Sequence, residues 1–438
     1  MKKIFLKLVG GAVFLLPLMF ASCGNIDNPL EILDTSGSGG GSSSSTDTST
    51  ENTYLVWDAT AKQLKSEALP TTYTKMDASQ TTWSGTYIVE DDVEITSDVT
   101  LSGDATIIIK DGKTLSLASD KKIEYVGATA YKLNIHAQSE GASAGKLVVS
   151  TTSANTRPIF LNGSLSIYGA SVSTTATGTY SEGIFVADEL NMYGGELKST
   201  GTLAGIMVDN ASGGTVNIYG GTVDATTTTD DPGPYAISII GNMNIYNGTV
   251  KGTATAKGGG IYVAGYGMGT LTIENGTVTG KGGDSMVGIN AKTITISGGT
   301  VTAENGDGGN GALQCYGDLT ISGDETVVNA IGGDQNTGSA SIGILAVTLT
   351  IDGGTITATG GNGTGTGSGG NGIDAPNIIV TACNNVTASG GDSYSSSRGI
   401  KGTIALTDPL KLYEGDSENP DALASSQTSS TRRYVIIK

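Results

Sequence analysis

The sequence predicts an all-β protein that folds as a right-handed parallel β-helix, a solenoid with three short strands per coil and capped ends. One phrase repeats along the chain: VNIYGGTVDA at 216–225 returns as ITISGGTVTA at 294–303 and as LTIDGGTITA at 349–358. Each copy alternates apolar and polar residues, which is the period of a strand with one buried face. Strands this short bury an apolar side only by stacking on the equivalent strand of the next coil, about 4.8 Å away.

The repeat unit consists of three strands, which read GIxV, then LxIx, then TVxA after a glycine corner. The first apolar residues of the nine LxIx copies are Leu165, Leu190, Val216, Met243, Leu271, Ile294, Leu319, Leu349 and Ile378. Gly supplies 67 of 438 residues, which suits a narrow core with a glycine bend in every coil. We expect positive φ at these corners, and a strained or reshaped corner where Ala170 or Asp324 replaces the second glycine.

The repeats also set the expected boundaries along the chain. Residues 54–69, YLVWD and QLKSEAL with their connection, predict a hairpin, and a short helix capped by Asp58 is the alternative. Either would cover the open end of the solenoid, and YVIIK at the C-terminus would return as a closing strand. The expected segments are a signal peptide at 1–22, a lipidated Gly/Ser tether at 23–52, an N-terminal cap at 53–82, the parallel β-helix at 83–412 and a C-terminal capping segment at 413–438.

The N-terminal stretch MKKIFLKLVGGAVFLLPLMFASC has three lysines, an apolar run and small residues before Cys23. This pattern is typical of a lipoprotein signal peptide and is too short for a membrane span. We expect Cys23 to be the lipidation site, with secretion and an incidental cysteine as the alternative. The protein would then lie at the outer membrane or cell surface and contact the membrane through its lipid anchor only.

The formal net charge of the chain is −18. An acidic chain repels nucleic acid and anionic lipid head groups, so neither is an expected partner. A polymer that is neutral, or acidic and bridged by cations, stays compatible with this charge.

The stretch from Trp83 to Leu117 and the repeated GIxA…LTIxGGTVTA resemble β-helix domains of surface lipoproteins and secreted proteins of gut-type bacteria. They are also similar to pectate-lyase-like β-helices and to a β-helix family described as carbohydrate-binding, with cellulose- and pectin-like ligands. The resemblance covers roughly Trp83 to Leu412. It implies a parallel β-helix and an extracellular glycan ligand. An acidic residue often precedes the Gly-Ile pair in that family, and NGIDA at 371–375 comes closest to that pattern here.

An acidic column is the first candidate site. In five successive coils an Asp or Asn follows glycine, six residues after the buried aliphatic residue of the third strand. Stacked carboxylates about 5 Å apart repel one another unless a cation bridges them, and oxygen ligands favour Ca²⁺, the only candidate cofactor. Alternatively these residues simply suit turns. The candidate metal ligands are Asp284, Asp307, Asp334, Asn362 and Asp392.

A tyrosine row is the second candidate site. Tyr168, Tyr193, Tyr219 and Tyr246 take the same place, just before the glycine corner, in four consecutive coils. With side chains pointing outward they would form an aromatic strip that stacks against sugar rings. Aromatic ladders also stabilise a parallel sheet by packing on each other, which needs no ligand.

Catalysis is not expected. His136 is the sole histidine and has no partner for a Ser/His/Asp or metal site. Arg398 and Lys401, near Asp392, are the only arrangement that suggests lyase chemistry. We therefore expect a monomeric, surface-anchored, non-catalytic binder of extracellular polysaccharide, with Ca²⁺ as a candidate requirement. The alternatives are an adhesin or structural stalk that contacts host or neighbouring cells and, third, a polysaccharide lyase.

Overall fold

The computed structural model describes residues 52–264, 269–308, 310–393 and 397–438, which form a parallel β-solenoid of about 11 coils. The predicted fold class is confirmed: the structure matches a right-handed parallel β-helix, and the described residues contain no α-helix. Accordingly, no helix in this part of the chain is long and apolar enough to cross a membrane. The predicted signal peptide, Cys23 and residues 23–51 of the predicted tether lie outside the described residues.

The strands follow one another with short connections. The first part of the chain contains β1 (Thr53–Asp58), β2 (Gln63–Ala68), β3 (Thr74–Lys75), β4 (Thr82–Val89), β5 (Val93–Ile95), β6 (Val99–Ile109), β7 (Thr114–Leu117), β8 (Ile123–Tyr125), β9 (Tyr131–Ala137), β10 (Lys146–Thr151), β11 (Ile159–Leu161) and β12 (Gly163–Ala176). The middle part contains β13 (Glu182–Val186), β14 (Glu189–Gly201), β15 (Ala204–Ile218), β16 (Thr222–Thr227), β17 (Tyr235–Ile245), β18 (Thr249–Ala254), β19 (Gly259–Val263), β20 (Thr270–Ile273), β21 (Thr277–Lys281), β22 (Ile289–Ala291), β23 (Thr293–Ile296) and β24 (Thr300–Glu304). The last part contains β25 (Gly311–Cys315), β26 (Asp318–Ser322), β27 (Val327–Ile331), β28 (Ile342–Leu345), β29 (Thr348–Asp352), β30 (Thr355–Thr359), β31 (Ile373–Ala382), β32 (Asn385–Ser389), β33 (Ile400–Leu406), β34 (Leu412–Gly415) and β35 (Tyr434–Ile437).

Three faces run along the solenoid, one for each strand of the repeat, and the pairing within each face is parallel. The first face stacks β8, β11, β13, β15, β17, β19, β22, β25, β28, β31 and β33. The second face stacks β9, β12, β14, β15, β17, β20, β23, β26, β29, β31 and β33. The third face stacks β7, β10, β12, β14, β16, β18, β21, β24, β27, β30 and β32. The longer strands turn a corner and therefore belong to two faces.

The register of the second face turns the sequence repeat into columns. Leu165 pairs with Leu190, Leu190 pairs with Val216, and the same column continues coil by coil to Ile378. All nine apolar residues of this column are 2% exposed or less. Burying each aliphatic side chain contributes about 1.5–3 kcal/mol, so this alternation is what holds the coils together.

The glycine corners form as predicted. The second glycine of each Gly-Gly pair has φ between +75° and +84° at Gly195, Gly221, Gly299 and Gly354. Where Ala170 replaces that glycine, the positive φ moves one residue back, to +81° at Gly169. Asp324 is likewise preceded by Gly323 at +83°. Both corners are therefore reshaped, because a side chain other than glycine rarely adopts positive φ.

The two ends of the solenoid are closed by different segments. At the C-terminal end, β35 returns antiparallel between β32 and β34. At the N-terminal end, Met76 and Trp83 are 1% and 0% exposed and fill the first coil. Residues 53–68 form the predicted hairpin, in which β1 and β2 pair antiparallel.

The hairpin lies on the side of the solenoid, against the second face, and not over its open end as the sequence suggested. The alternative helix is absent, because residues 63–68 pair with β1 as a strand. Asp58 accepts hydrogen bonds from the backbone N–H groups of Thr60 and Ala61 in the hairpin turn. These bonds lower the pKa of Asp58. The hairpin lies on the side of the solenoid because its side chains pack against the aromatic residues on the outside of the second face.

Candidate functional site

The four tyrosines of the predicted row stack as one column on the outside of the second face, which we call the tyrosine ladder. The ring centroids of Tyr168 and Tyr193 are 4.6 Å apart, those of Tyr193 and Tyr219 are 4.9 Å apart, and those of Tyr219 and Tyr246 are 4.7 Å apart. Neighbouring ring planes lie within 14° of each other. The spacing equals the distance between parallel strands, so the ladder is a direct consequence of the repeat register.

His136 forms one more rung of this column, which the sequence analysis missed. Its ring lies 4.1 Å from the ring of Tyr168 with an interplanar angle of 2°. The two residues are register partners in β9 and β12. The signal that could have revealed this is the match of LNIHA at 133–137 to LSIYG at 165–169.

The hairpin covers the first rungs of the ladder. The Nδ1–H group of His136 donates to the backbone oxygen of Leu55 at 2.7 Å, which leaves Nε2 as the unprotonated nitrogen. The indole of Trp57 lies 5.0 Å from the rings of both Tyr193 and Tyr219, tilted by 37° and 39°. Leu55 and Trp57 are two residues apart in β1, so their side chains point to the same side of the strand.

Two glycines of the corners leave room for the hairpin. A Cβ on Gly169 would lie 2.4 Å from Cδ1 of Leu55, and one on Gly194 would lie 2.5 Å from Cδ1 of Leu64. Side chains at these positions would push the hairpin away. Gly169, with a φ of +81°, therefore serves both the bend of the coil and the docking of the hairpin, and Gly194 serves the docking.

The rungs that the hairpin covers are uncharged at neutral pH. Loss of hydration lowers the pKa of His136 to about 4, because burial disfavours the charged imidazolium. The same desolvation raises the pKa of Tyr168, Tyr193 and Tyr219, so their phenols stay protonated. The hairpin and the rungs that it covers thus enclose a neutral aromatic cluster.

A cleft of about 520 Å³ opens where the ladder ends, and we call it the end cleft. The ladder stops at Tyr246 because the next coil has Glu274 in that place, so no tyrosine of the ladder covers the outer side of this ring. The aromatic lining is Trp57, Tyr219 and Tyr246, and the polar lining is Lys62, Asn247, Glu274 and Asn275. None of these four polar side chains hydrogen-bonds or ion-pairs with another residue in the described ranges.

The backbone of the acidic column is in register from coil to coil. The same backbone hydrogen bond joins each coil to the next: the N–H group of the residue that follows one column member donates to the backbone oxygen of the next column member, at 2.7–2.9 Å. The accepting residues are Asp307, Asp334, Asn362 and Asp392. The glycines before these residues pack backbone against backbone; a Cβ on Gly361 would lie 1.9 Å from the oxygen of Gly333. Close stacking therefore explains why glycine precedes each Asp or Asn.

Side chains of the column bond to the backbone of the next coil. Oδ1 of Asp334 accepts from the N–H of Asn362 at 2.7 Å, and Oδ1 of Asn362 accepts from the N–H of Asp392 at 2.8 Å. Asp392 also pairs with the guanidinium of Arg433. Asp120 makes the same bond to Thr152 in an early coil. No group of three or more His, Cys, Asp or Glu side chains converges for a metal ion within the described residues, so calcium stays a prediction.

The arrangement that suggested lyase chemistry has different partners in the structure. The Nζ of Lys401 lies 3.0 Å from Oδ2 of Asp374, and Arg398 lines a cleft of about 440 Å³ with these two residues. Asp392 is held by Arg433 instead.

The fold implied by the resemblance is the part that the structure shows, namely a parallel β-solenoid. The pectate-lyase-like family, the lipid anchor and carbohydrate binding stay predictions. Comparison with protein-family models, with curated proteins and with solved structures gives no match for this chain.

Proposed function

We propose that the protein is a non-catalytic binder of extracellular glycans at the cell surface, and that the end cleft is its sugar site. The observation that carries this proposal is that Tyr246 and Trp57 line one cleft together with polar side chains that have no partner among the described residues. The proposal narrows the predicted tyrosine row to Tyr219 and Tyr246, because the hairpin occupies the surface next to the earlier rungs.

The lining of the end cleft suits a sugar ring. A pyranose has an apolar C–H face, which packs on an aromatic ring, and a rim of hydroxyl groups, which hydrogen-bond to carboxylates and amides. Glu274 accepts hydrogen bonds, and Asn247 and Asn275 both donate and accept them. The carboxylate of Glu274 and the net charge of −18 oppose an acidic ligand, so a neutral glycan is favoured.

A glycan array and titration calorimetry test the proposal. Tyr246→Ala should abolish binding while leaving the solenoid folded, because Tyr246 is the last rung and stacks on a single ring of the ladder. The matched control is Tyr180→Ala, since Tyr180 is 58% exposed and outside the end cleft. The proposal fails if the unaltered protein binds no glycan, or if both variants bind alike.

A chelator arm separates the two candidate sites. Binding at the end cleft should persist in a chelator, since its polar lining contains one carboxylate, Glu274. Loss of binding in the chelator would place the glycan at the acidic column and would make calcium the bridging ion.

The second candidate function is an adhesin or structural stalk. The observation that favours it is that hairpin packing alone accounts for Tyr168, Tyr193 and Trp57 without any ligand. A stalk predicts silence on the glycan array together with loss of cell attachment when the chain is deleted.

A further inference from the structure

We infer that the end cleft binds the terminal residues of a linear neutral glycan and not the interior of a chain. This inference rests on the glycan binding proposed above and deepens it. It follows from what bounds the cleft at each of its two ends along the solenoid axis.

The hairpin closes the cleft on the side of the earlier coils. Trp57 lies 5.0 Å from the rings of Tyr193 and Tyr219, so it fills the space beside the ladder where a polymer would have to continue. Behind it, the backbone of Leu55 is tied to His136 at 2.7 Å. The hairpin turn contributes Lys62 to the same wall. A glycan that enters the cleft therefore stops at the hairpin.

The cleft is open on the side of the later coils. Beyond Tyr246 the column continues with Glu274, Ser297 and Ser322, which are shorter than tyrosine. The backbone N–H groups of Glu274 and Ser297 bond to the preceding coils at 2.8 Å, so the face stays continuous. One end of a chain fits the cleft, and the rest of the chain runs over these coils.

The size of the cleft agrees with a terminal segment. Its lining comes from three successive coils, of Tyr219, Tyr246 and Glu274, and thus spans about 10 Å along the axis. That length holds about two sugar rings, and a volume near 520 Å³ lies within the usual range of small-ligand pockets. A polymer threaded through the cleft would need an exit that the hairpin blocks.

The experiment compares intact and partially hydrolysed polymers as competitors at equal mass of sugar. The probes are a linear glucan, galactan, mannan and xylan, together with oligosaccharides of one to six units of each. For the sugar that binds, a hydrolysate with about ten times as many chain ends should compete about tenfold better per gram. Affinity should rise from one to two or three units and then stay level.

A variant at the closing wall supplies the second measurement. Trp57→Ala should weaken binding of the short oligosaccharides and let the intact polymer compete as well per gram as its hydrolysate. Circular dichroism and retained burial of Trp83, the other tryptophan, report that the solenoid is still folded.

The outcomes separate the two proposals. Affinity that keeps growing with chain length, or intact polymer as potent per gram as its hydrolysate with the unaltered protein, would overturn the inference and leave glycan binding standing. Silence of every probe would overturn both.

Discussion

His136 should titrate as a buried imidazole for as long as the hairpin covers it. Its ring is 6% exposed, stacks on Tyr168 and donates from Nδ1 to the backbone oxygen of Leu55. The perturbation is removal of residues 52–69, which takes away the hairpin and leaves the paired coils intact. We expect the pKa of His136 to rise from about 4 towards its ordinary value of 6.5.

The free-energy difference follows from this shift. A fall from 6.5 to about 4 corresponds to about 3 kcal/mol in favour of the neutral form, at about 1.4 kcal/mol per pKa unit. The stabilisation of the covered state is complete above pH 6.5, where both states are neutral. It decreases as the pH falls from 6.5 to about 4, because the uncovered histidine takes up a proton and the covered one does not.

The assay is proton NMR of the imidazole C2–H group in a chain without a histidine tag. The sequence has a single histidine, so the resonance needs no assignment. At pH 5 the covered imidazole should be about 10% protonated, and the uncovered one almost fully protonated. An apparent pKa near 6.5 in the intact chain, or an equally low value without the hairpin, would refute the reasoning.

Three further predictions concern the coils. Gly361→Ala places a Cβ 1.9 Å from the oxygen of Gly333 and should lower the free energy of unfolding by about 1–3 kcal/mol; an unchanged denaturation midpoint would contradict the stacking argument. Arg157→Met leaves the carboxylate of Glu182, 3% exposed, without its cation and should cost about 3–5 kcal/mol, which the double variant with Glu182→Gln should recover in part. Burial raises the pKa of Tyr193, so in an absorbance titration the unaltered protein and Tyr193→Phe should show the same number of phenols ionising with the exposed tyrosines; one fewer in the variant would contradict a buried ring.

The sequence predicted the columns of the solenoid because a fixed parallel register converts spacing in the chain into position in space. Leu165 to Ile378, the tyrosine ladder and the acidic column all align for this reason. The reshaped corner at Ala170 was likewise foreseeable, since only glycine takes positive φ without strain.

The sequence did not predict what covers each column. The hairpin lies outside the repeat, so no periodicity relates Trp57 to Tyr193 or Leu55 to His136, which are 81 positions apart. For the acidic column the sequence leaves two hypotheses open, ion ligands and turn residues, because whether the side chain of Asp334 faces a cation or the next backbone N–H depends on its rotamer. The local sequence pattern determines neither the position of the hairpin nor the rotamer of Asp334.

The hairpin leaves the ribosome before all of its partners. The surface on which it docks exists only after the coils from His136 to Tyr219 have formed. The hairpin is therefore synthesised before these coils but docks after they have folded. Contacts between parts of a chain that are far apart in sequence form slowly. Until they form, the aromatic side chains of β1 are exposed to solvent. A nascent chain stalled before Tyr193 would therefore display Trp57 to water, and quenching of its fluorescence would report how far the winding has progressed.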